Sequence, residues 1–215
     1  MIDTVLFDFD GTVMDTTGVI LASWQLTFRT FRGEEADEDM LFETFGEPLE
    51  LTMRKFFPDI PQEEALAVYR GYQRDNFLDE IRIFPGMREA IKSIRDSGRK
   101  TALVTSRLAR TTHEGLKAYD LYPLFDAVFT VEDCEEHKPA PGPALNAMKA
   151  LGSRSENTMM LGDTRFDIQC ATNAGVKAVL VGWTVALDPE DLPEDVRPDA
   201  VLERPEDLLS LAESF

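Results

Sequence analysis

Read for its hydrophobic and polar positions, the chain alternates short apolar runs with longer segments of helical periodicity. The runs are 4–9 (TVLFDF), 101–105 (TALVT), 127–131 (AVFTV), 158–161 (TMML) and 178–182 (AVLVG). Runs this short, with little polar alternation and turn residues at their ends, predict strands buried on both faces, as in a parallel sheet. Between them, 86–97, 141–151 and 165–174 carry helical spacing, and Gly98, Gly152 and Gly175 follow as stop signals. Strand and helix in alternation, with short connections, predict an α/β fold: a doubly wound, mostly parallel (Rossmann-like) sheet.

Residues 15–80 break this rhythm. Val19, Ile20, Trp24, Phe28 and Phe31 recur at helical spacing, as do Leu66, Tyr69, Tyr72 and Phe77, and the stretch contains no run that reads as a strand. The pattern predicts an α-helical insert over 15–80, placed after the first strand of a core made of 1–14 and 81–215. The aromatic stripes are expected to form the insert's own core. The segment 187–207, rich in Pro, Asp and Glu, is expected to be surface loop around one short strand, Ala200–Leu202.

Composition narrows the function. The 215 residues include 22 basic and 40 acidic side chains, a formal charge of −18, and the insert is acidic too, with 15 acids against 6 bases. Such a surface repels nucleic-acid phosphates, so no nucleic-acid partner is expected. An anionic small-molecule substrate would need a local cation or a metal to overcome the same field. Cys134 and Cys170 form no disulfide or metal framework, which fits a reducing cytoplasm. No signal-like N-terminus and no membrane-length apolar run is present, so a cytoplasmic protein with no membrane partner is expected.

Four motifs fall just past predicted strand ends, where open parallel sheets bind ligands. Asp8-Phe9-Asp10-Gly11-Thr12 sets two carboxylates at i, i+2, on one side of the chain by the strand's period of two. One can attack while the other handles a proton. Thr105-Ser106-Arg107 offers hydroxyls and backbone N–H groups that can cradle phosphate oxygens, although the same residue types also cap helices. Lys138 precedes Pro139, a position held extended, and a lysine there can neutralise a phosphate together with the carboxylate that attacks it. Asp163 and Asp167 stand at i, i+4 where a helix begins. Such carboxylates suit a hard Mg²⁺ ion, and serve equally as helix caps.

Together these motifs, their order and the insert after the first strand resemble the haloacid dehalogenase superfamily over the whole chain. The insert at 15–80 looks like that superfamily's α-helical cap domain, and the likeness is to the branch of phosphoglycolate phosphatases, β-phosphoglucomutases and bacterial pyrophosphatases. The resemblance implies that Asp8 is the nucleophile and a Mg²⁺ ligand. Asp10 would be general acid and then base, ligating the metal through its carbonyl. Thr105, Ser106 and Lys138 would hold the phosphoryl group. Asp163 would bind Mg²⁺, with Asp167 ligating through water or supporting Lys138. Specificity would come from the 45–54 stretch (Gly46, Glu47, Leu49, Arg54) with Arg107 at the rim. With Arg54 as that stretch's one useful cation, small substrates are expected to outrank bulky polyanions.

The expected activity is hydrolysis of a small phosphate monoester, phosphoglycolate-like, through an aspartyl-phosphate. Rival readings differ at specific residues. Dehalogenases of the superfamily lack the second acid, here Asp10. The mutases typically carry a histidine about ten residues beyond it, where this chain has Ile20. The stretches Thr130–Asp133 and Gly182-Trp183-Thr184 resemble those of the bacterial pyrophosphatases, which keeps pyrophosphate hydrolysis as the near alternative. A phospho-receiver domain would have no insert after its first strand, and a pure binding module would be expected to lose Asp8 or Asp10.

Overall fold

The computed structural model describes residues 1–215. Its strands, in chain order, are β1 (Thr4–Phe7), β2 (Met14–Asp15), β3 (Arg82–Ile83), β4 (Lys100–Val104), β5 (Ala127–Phe129), β6 (Thr158–Gly162), β7 (Lys177–Val181) and β8 (Ala200–Leu202). Its helices are α1 (Thr17–Arg32), α2 (Glu38–Phe42), α3 (Leu49–Phe56), α4 (Gln62–Glu80), α5 (Met87–Asp96), α6 (Ala109–Ala118), α7 (Gly142–Leu151), α8 (Arg165–Ala174) and α9 (Leu208–Ser214).

Six strands form one parallel sheet in the order β5-β4-β1-β6-β7-β8. Every residue of β1 and β6 is buried. Helices cover both faces, which is why these strands read as continuous apolar runs. One face packs Val5, Phe7, Leu103, Met159, Leu161 and Val179 against Met87, Ile91 and Ile94 of α5 and Leu208 and Ala212 of α9. The other packs Leu6, Ala102, Val104 and Met160 against Ala144, Ala147 and Met148 of α7 and Ile168 and Ala171 of α8.

The chain runs outward from β1 through β4 to β5, then returns to β6 on the other side of β1. That reversal opens a crevice at the carboxyl ends of β1, β4 and β6. Asp8, Thr105 and Asp163 each follow one of these strands directly.

Helices α1–α4 lie between β2 and β3. They share a cluster of Trp24, Leu41, Met53, Phe57, Ala65, Leu66 and Tyr69, so most of the aromatic stripe is internal packing. The roots of the insert join the main core instead, through Val19, Phe77 and Ile81. A feature absent from the sequence reading is the antiparallel ribbon of β2 and β3, two residues each, where the chain leaves and re-enters the core. Strands this short carry no legible period. The 127–131 run also ends early: Val131–Asp133 is a 3₁₀ turn, because Asp133 accepts from the backbone N–H and hydroxyl of Thr130 and winds the chain.

Candidate active site

The site is built from loops that leave the strand ends. After β1 the chain turns at Gly11 (φ +68°), and a Cβ there would stand 2.0 Å from Asp163 Oδ2. Only glycine lets these two loops approach so closely. After β6, Thr164 is the N-cap of α8. Asp167 Oδ2 accepts from the Thr164 hydroxyl (2.6 Å) and backbone N–H (3.1 Å), a reciprocal capping arrangement. Asp167 Oδ1 is thereby aimed at Lys138, whose ammonium donates to it at 2.6 Å and to Asp8 Oδ1 at 2.7 Å. All three side chains are at most 8% exposed.

The electrostatics follow from that burial. Desolvation pushes the Asp8 carboxyl up to about 7, with Lys138 pulling it down and Asp167 and Asp10 adding repulsion. Asp163 is raised well above the ordinary range, first by burial and then by Asp167, Asp8 and Asp10. Burial opposes the Lys138 ammonium, yet Asp167 and Asp8 outweigh it and hold the lysine above its usual value. Asp8, Asp163 and Asp167 thus place more carboxyl groups around Lys138 than one ammonium can neutralise.

One oxygen each from Asp8, Asp163 and Asp167 lie within 4.8 Å of one another. Asp163 Oδ1 is buried without a hydrogen-bond partner. A buried, unpartnered carboxylate oxygen is costly unless a cation meets it. An all-oxygen donor set of this kind fits a small hard divalent ion. Asp167 has both oxygens engaged by Lys138 and Thr164, an arrangement suited to steadying the lysine.

Thr105 is buried, and its hydroxyl oxygen accepts from the Arg107 N–H at 3.1 Å, leaving the hydroxyl proton free to donate into the crevice. Arg107 itself turns back over the site. Its Nε donates to both Asp10 oxygens at 2.9 Å, and its Nη1 donates to Gln73 Oε1 of α4 at 3.1 Å. The guanidinium lies over the Phe77 ring, 4.5 Å from its centroid.

Asp8, Asp10, Thr105, Ser106, Arg107, Lys138, Asp163, Asp167, Gly46, Glu47 and Leu49 all line one cavity of about 650 Å³. Arg54 is the exception among the expected residues. It is exposed on α3 and outside the cavity wall, since α3 turns Thr52 and Met53 inward and residue 54 away. The expectation of a single cation from the 45–54 stretch is therefore corrected: Arg70 and Arg74 of α4, Arg110 of α6, and Arg107 line the cavity instead. Arg70, Gln73 and Arg74 share one helical face by their i, i+3, i+4 spacing, a signal the sequence offered and that the aromatic stripe obscured. Gly46 (φ +82°) brings the α2–α3 turn against the core, where a Cβ would lie 2.5 Å from Thr164 Oγ1.

The stretches Thr130–Asp133 and Gly182-Trp183-Thr184 each contribute a contact beside the site. Glu132 accepts from the Ala109 N–H at the start of α6 (2.8 Å), and the Thr184 hydroxyl donates to the Asp163 carbonyl (2.6 Å). Both steady loops that carry site residues.

A doubly wound sheet with a carboxylate-lysine centre at its switch point defines an α/β protein suited to phosphoryl chemistry. A family model for haloacid dehalogenase-like hydrolases matches residues 5–181, and the chain belongs to that family. Pyrophosphatase PpaX of Halalkalibacterium halodurans is 36% identical over 210 residues, covering 98% of this chain and 96% of the relative. Pyrophosphatase PpaX of Bacillus cereus is 32% identical over the same length, with the same coverage. Among solved structures, a haloacid dehalogenase-like hydrolase of Streptococcus pneumoniae superposes with a TM-score of 0.83 at 22% identity, covering 98% of each chain, a likeness of fold alone. The protein is a phosphatase of this family, and no helix is long and apolar enough to cross a membrane.

Proposed function

We propose that the chain is a Mg²⁺-dependent pyrophosphatase that works through an aspartyl-phosphate on Asp8. The observation that points to an anionic leaving group is Arg107 beside Asp10, with Nη2 standing 2.8 Å from Asp10 Oδ1. A leaving group departs at the acid that protonates it, so a cation there favours one that is itself charged, as phosphate is. Among substrates with such a leaving group, the names of the relatives favour pyrophosphate. Phosphoglycolate-like monoesters have the same phosphoryl chemistry and a carboxylate on the leaving group, and they rank second.

In this reading residues 15–80 cap the site and complete its walls. Asp8, Asp163 and the Asp10 carbonyl would hold Mg²⁺, which when bound offsets the repulsion between an anionic nucleophile and an anionic substrate. An Asp8 oxygen attacks phosphorus while the bond to the leaving oxygen breaks, and Asp10 gives that oxygen its proton. Lys138, Thr105 and Ser106 hold the transferring oxygens. Asp10, now a carboxylate, takes a proton from water, which attacks the phosphoryl group. The aspartyl bond breaks and its electron pair returns to Asp8.

Asp167 acts through Lys138. A panel of pyrophosphate, 2-phosphoglycolate, sugar phosphates and nucleotides, assayed with Mg²⁺, tests the reading. The highest kcat/KM is expected on pyrophosphate, and a nucleotide or sugar phosphate at the head of the order would overturn it.

A further inference from the structure

Arg107 holds the same carboxylate on which the proposed acid–base steps depend. Its Nε bridges both oxygens of Asp10 at 2.9 Å. While that fork is in place, Asp10 has no oxygen clear of the guanidinium with which to meet a leaving group. The guanidinium is nevertheless not saturated. Nη1 spends its two N–H groups on Gln73 Oε1 (3.1 Å) and Thr111 Oγ1 (3.3 Å), whereas Nη2 has two N–H groups and only Asp10 Oδ1 nearby. That end of the fork belongs to a residue lining the cavity.

The other end is anchored in the insert. Gln73 is buried, and its amide donates to Val19 O at 3.3 Å and Ser23 Oγ at 3.1 Å, so α1 and α4 together fix the acceptor that Arg107 uses. Phe77 supports the face of the guanidinium. The Nη1 corner and the ring face of Arg107 are thus held by the insert and α6, and its Nε/Nη2 edge is the side turned to Asp10.

We propose that Arg107 is a leaving-group selector: it clamps Asp10 in the resting enzyme and transfers its Nε/Nη2 edge to the negative charge on an arriving leaving group, which frees Asp10 to act on that group. The substrate class it selects is phosphate compounds whose leaving group carries its own anionic charge. Pyrophosphate and carboxylate-bearing monoesters both qualify. An uncharged leaving group offers Arg107 nothing in exchange for Asp10. The inference deepens the proposed function and rests on Asp10 as the acid and base.

The test compares pyrophosphate, 2-phosphoglycolate and phenyl phosphate in the wild type, Arg107→Met and Arg107→Lys. Loss of a charge-assisted contact made to one substrate class is expected to lower the ratio of kcat/KM on pyrophosphate to that on phenyl phosphate by about 10- to 100-fold in Arg107→Met. The ratio for 2-phosphoglycolate should fall likewise. Arg107→Lys, which keeps the charge without the fork, should recover part of each ratio. Inhibition by imidodiphosphate should weaken in Arg107→Met while inhibition by phenylphosphonate changes less.

A common factor on all three substrates would overturn the inference, as would ratios equal to the wild type in both variants. A wild type inactive on pyrophosphate, with the 2-phosphoglycolate ratio still falling, would refute the proposed function and leave the selector standing. Full activity of Asp10→Asn would refute the acid–base reading on which both depend.

Discussion

A Cβ on Gly11 would stand 2.0 Å from Oδ2 of Asp163, so the loop after β1 and the loop after β6 meet only because one of them has no side chain there. The contact brings Asp163 within carboxylate distance of Asp8 and leaves Asp163 Oδ1 buried and unpartnered. Gly11→Ala must displace Asp163 and also strains a left-handed backbone. Mg²⁺ affinity is expected to fall by about 10- to 100-fold, read as the Mg²⁺ concentration needed for half-maximal thermal stabilisation. Unchanged affinity would disconnect Asp163 from the metal.

Asp8→Asn removes the carboxylate proposed to attack phosphorus while preserving shape. Turnover should drop to below about a thousandth of wild type, with an unchanged circular dichroism spectrum. Retention of a tenth or more of the activity would rule out Asp8 as nucleophile.

Lys138→Met leaves Asp8 and Asp167 facing each other in a site where both are nearly fully buried. Breaking such a buried pair from one side costs about 3–5 kcal/mol, so urea unfolding should shift by that order. Adding Asp167→Asn should restore part of the stability and none of the activity. No recovery in the double variant would mean that Asp167 is not the lysine's structural partner.

The pH dependence of the metal-free protein follows from Asp8. Its carboxyl is raised by burial to about 7, from about 3.9 in an unfolded chain. The native state therefore favours the protonated form. The carboxyl's stabilising contribution is complete below about pH 4 and is lost as pH rises through about 7. Asp163 is shifted in the same direction. In chelator, the melting temperature should decline from pH 4 to 7, and the rise produced by Mg²⁺ should be larger at pH 8 than at pH 5. A Mg²⁺ effect independent of pH would contradict this.

Beyond Arg107, specificity should reside in α4 and the α2–α3 turn. Arg70→Met or Glu47→Gln is expected to reorder substrates by kcat/KM with metal dependence unaltered, while Arg54→Met, at an exposed position outside the cavity, leaves the order as it was. Reordering by Arg54→Met alone would place the recognition surface elsewhere.

What the sequence determined by itself is the part governed by local pattern. The apolar runs beginning at Thr4, Thr101 and Thr158 become buried strands because a residue covered on both faces must be apolar wherever it falls in the chain. The acids at 8, 10, 163 and 167 stand out because carboxylates directly past such runs have no packing reason to be there. Tertiary structure alone decided what those groups do to one another. Asp167 can cap α8, ligate a metal or hold a lysine by its sequence position. Only the approach of a loop 29 residues away gives it Lys138. Arg107 reads as a rim residue until α4 supplies Gln73 and Phe77, 34 and 30 positions distant, and turns it onto Asp10. Arg54 falls outside the cavity, and Arg70 and Arg74 inside it, for the same reason. Periodicity tells which residues share a helix face, but which face looks into the site depends on how the insert docks on the core, and that is set by packing between segments far apart in the chain.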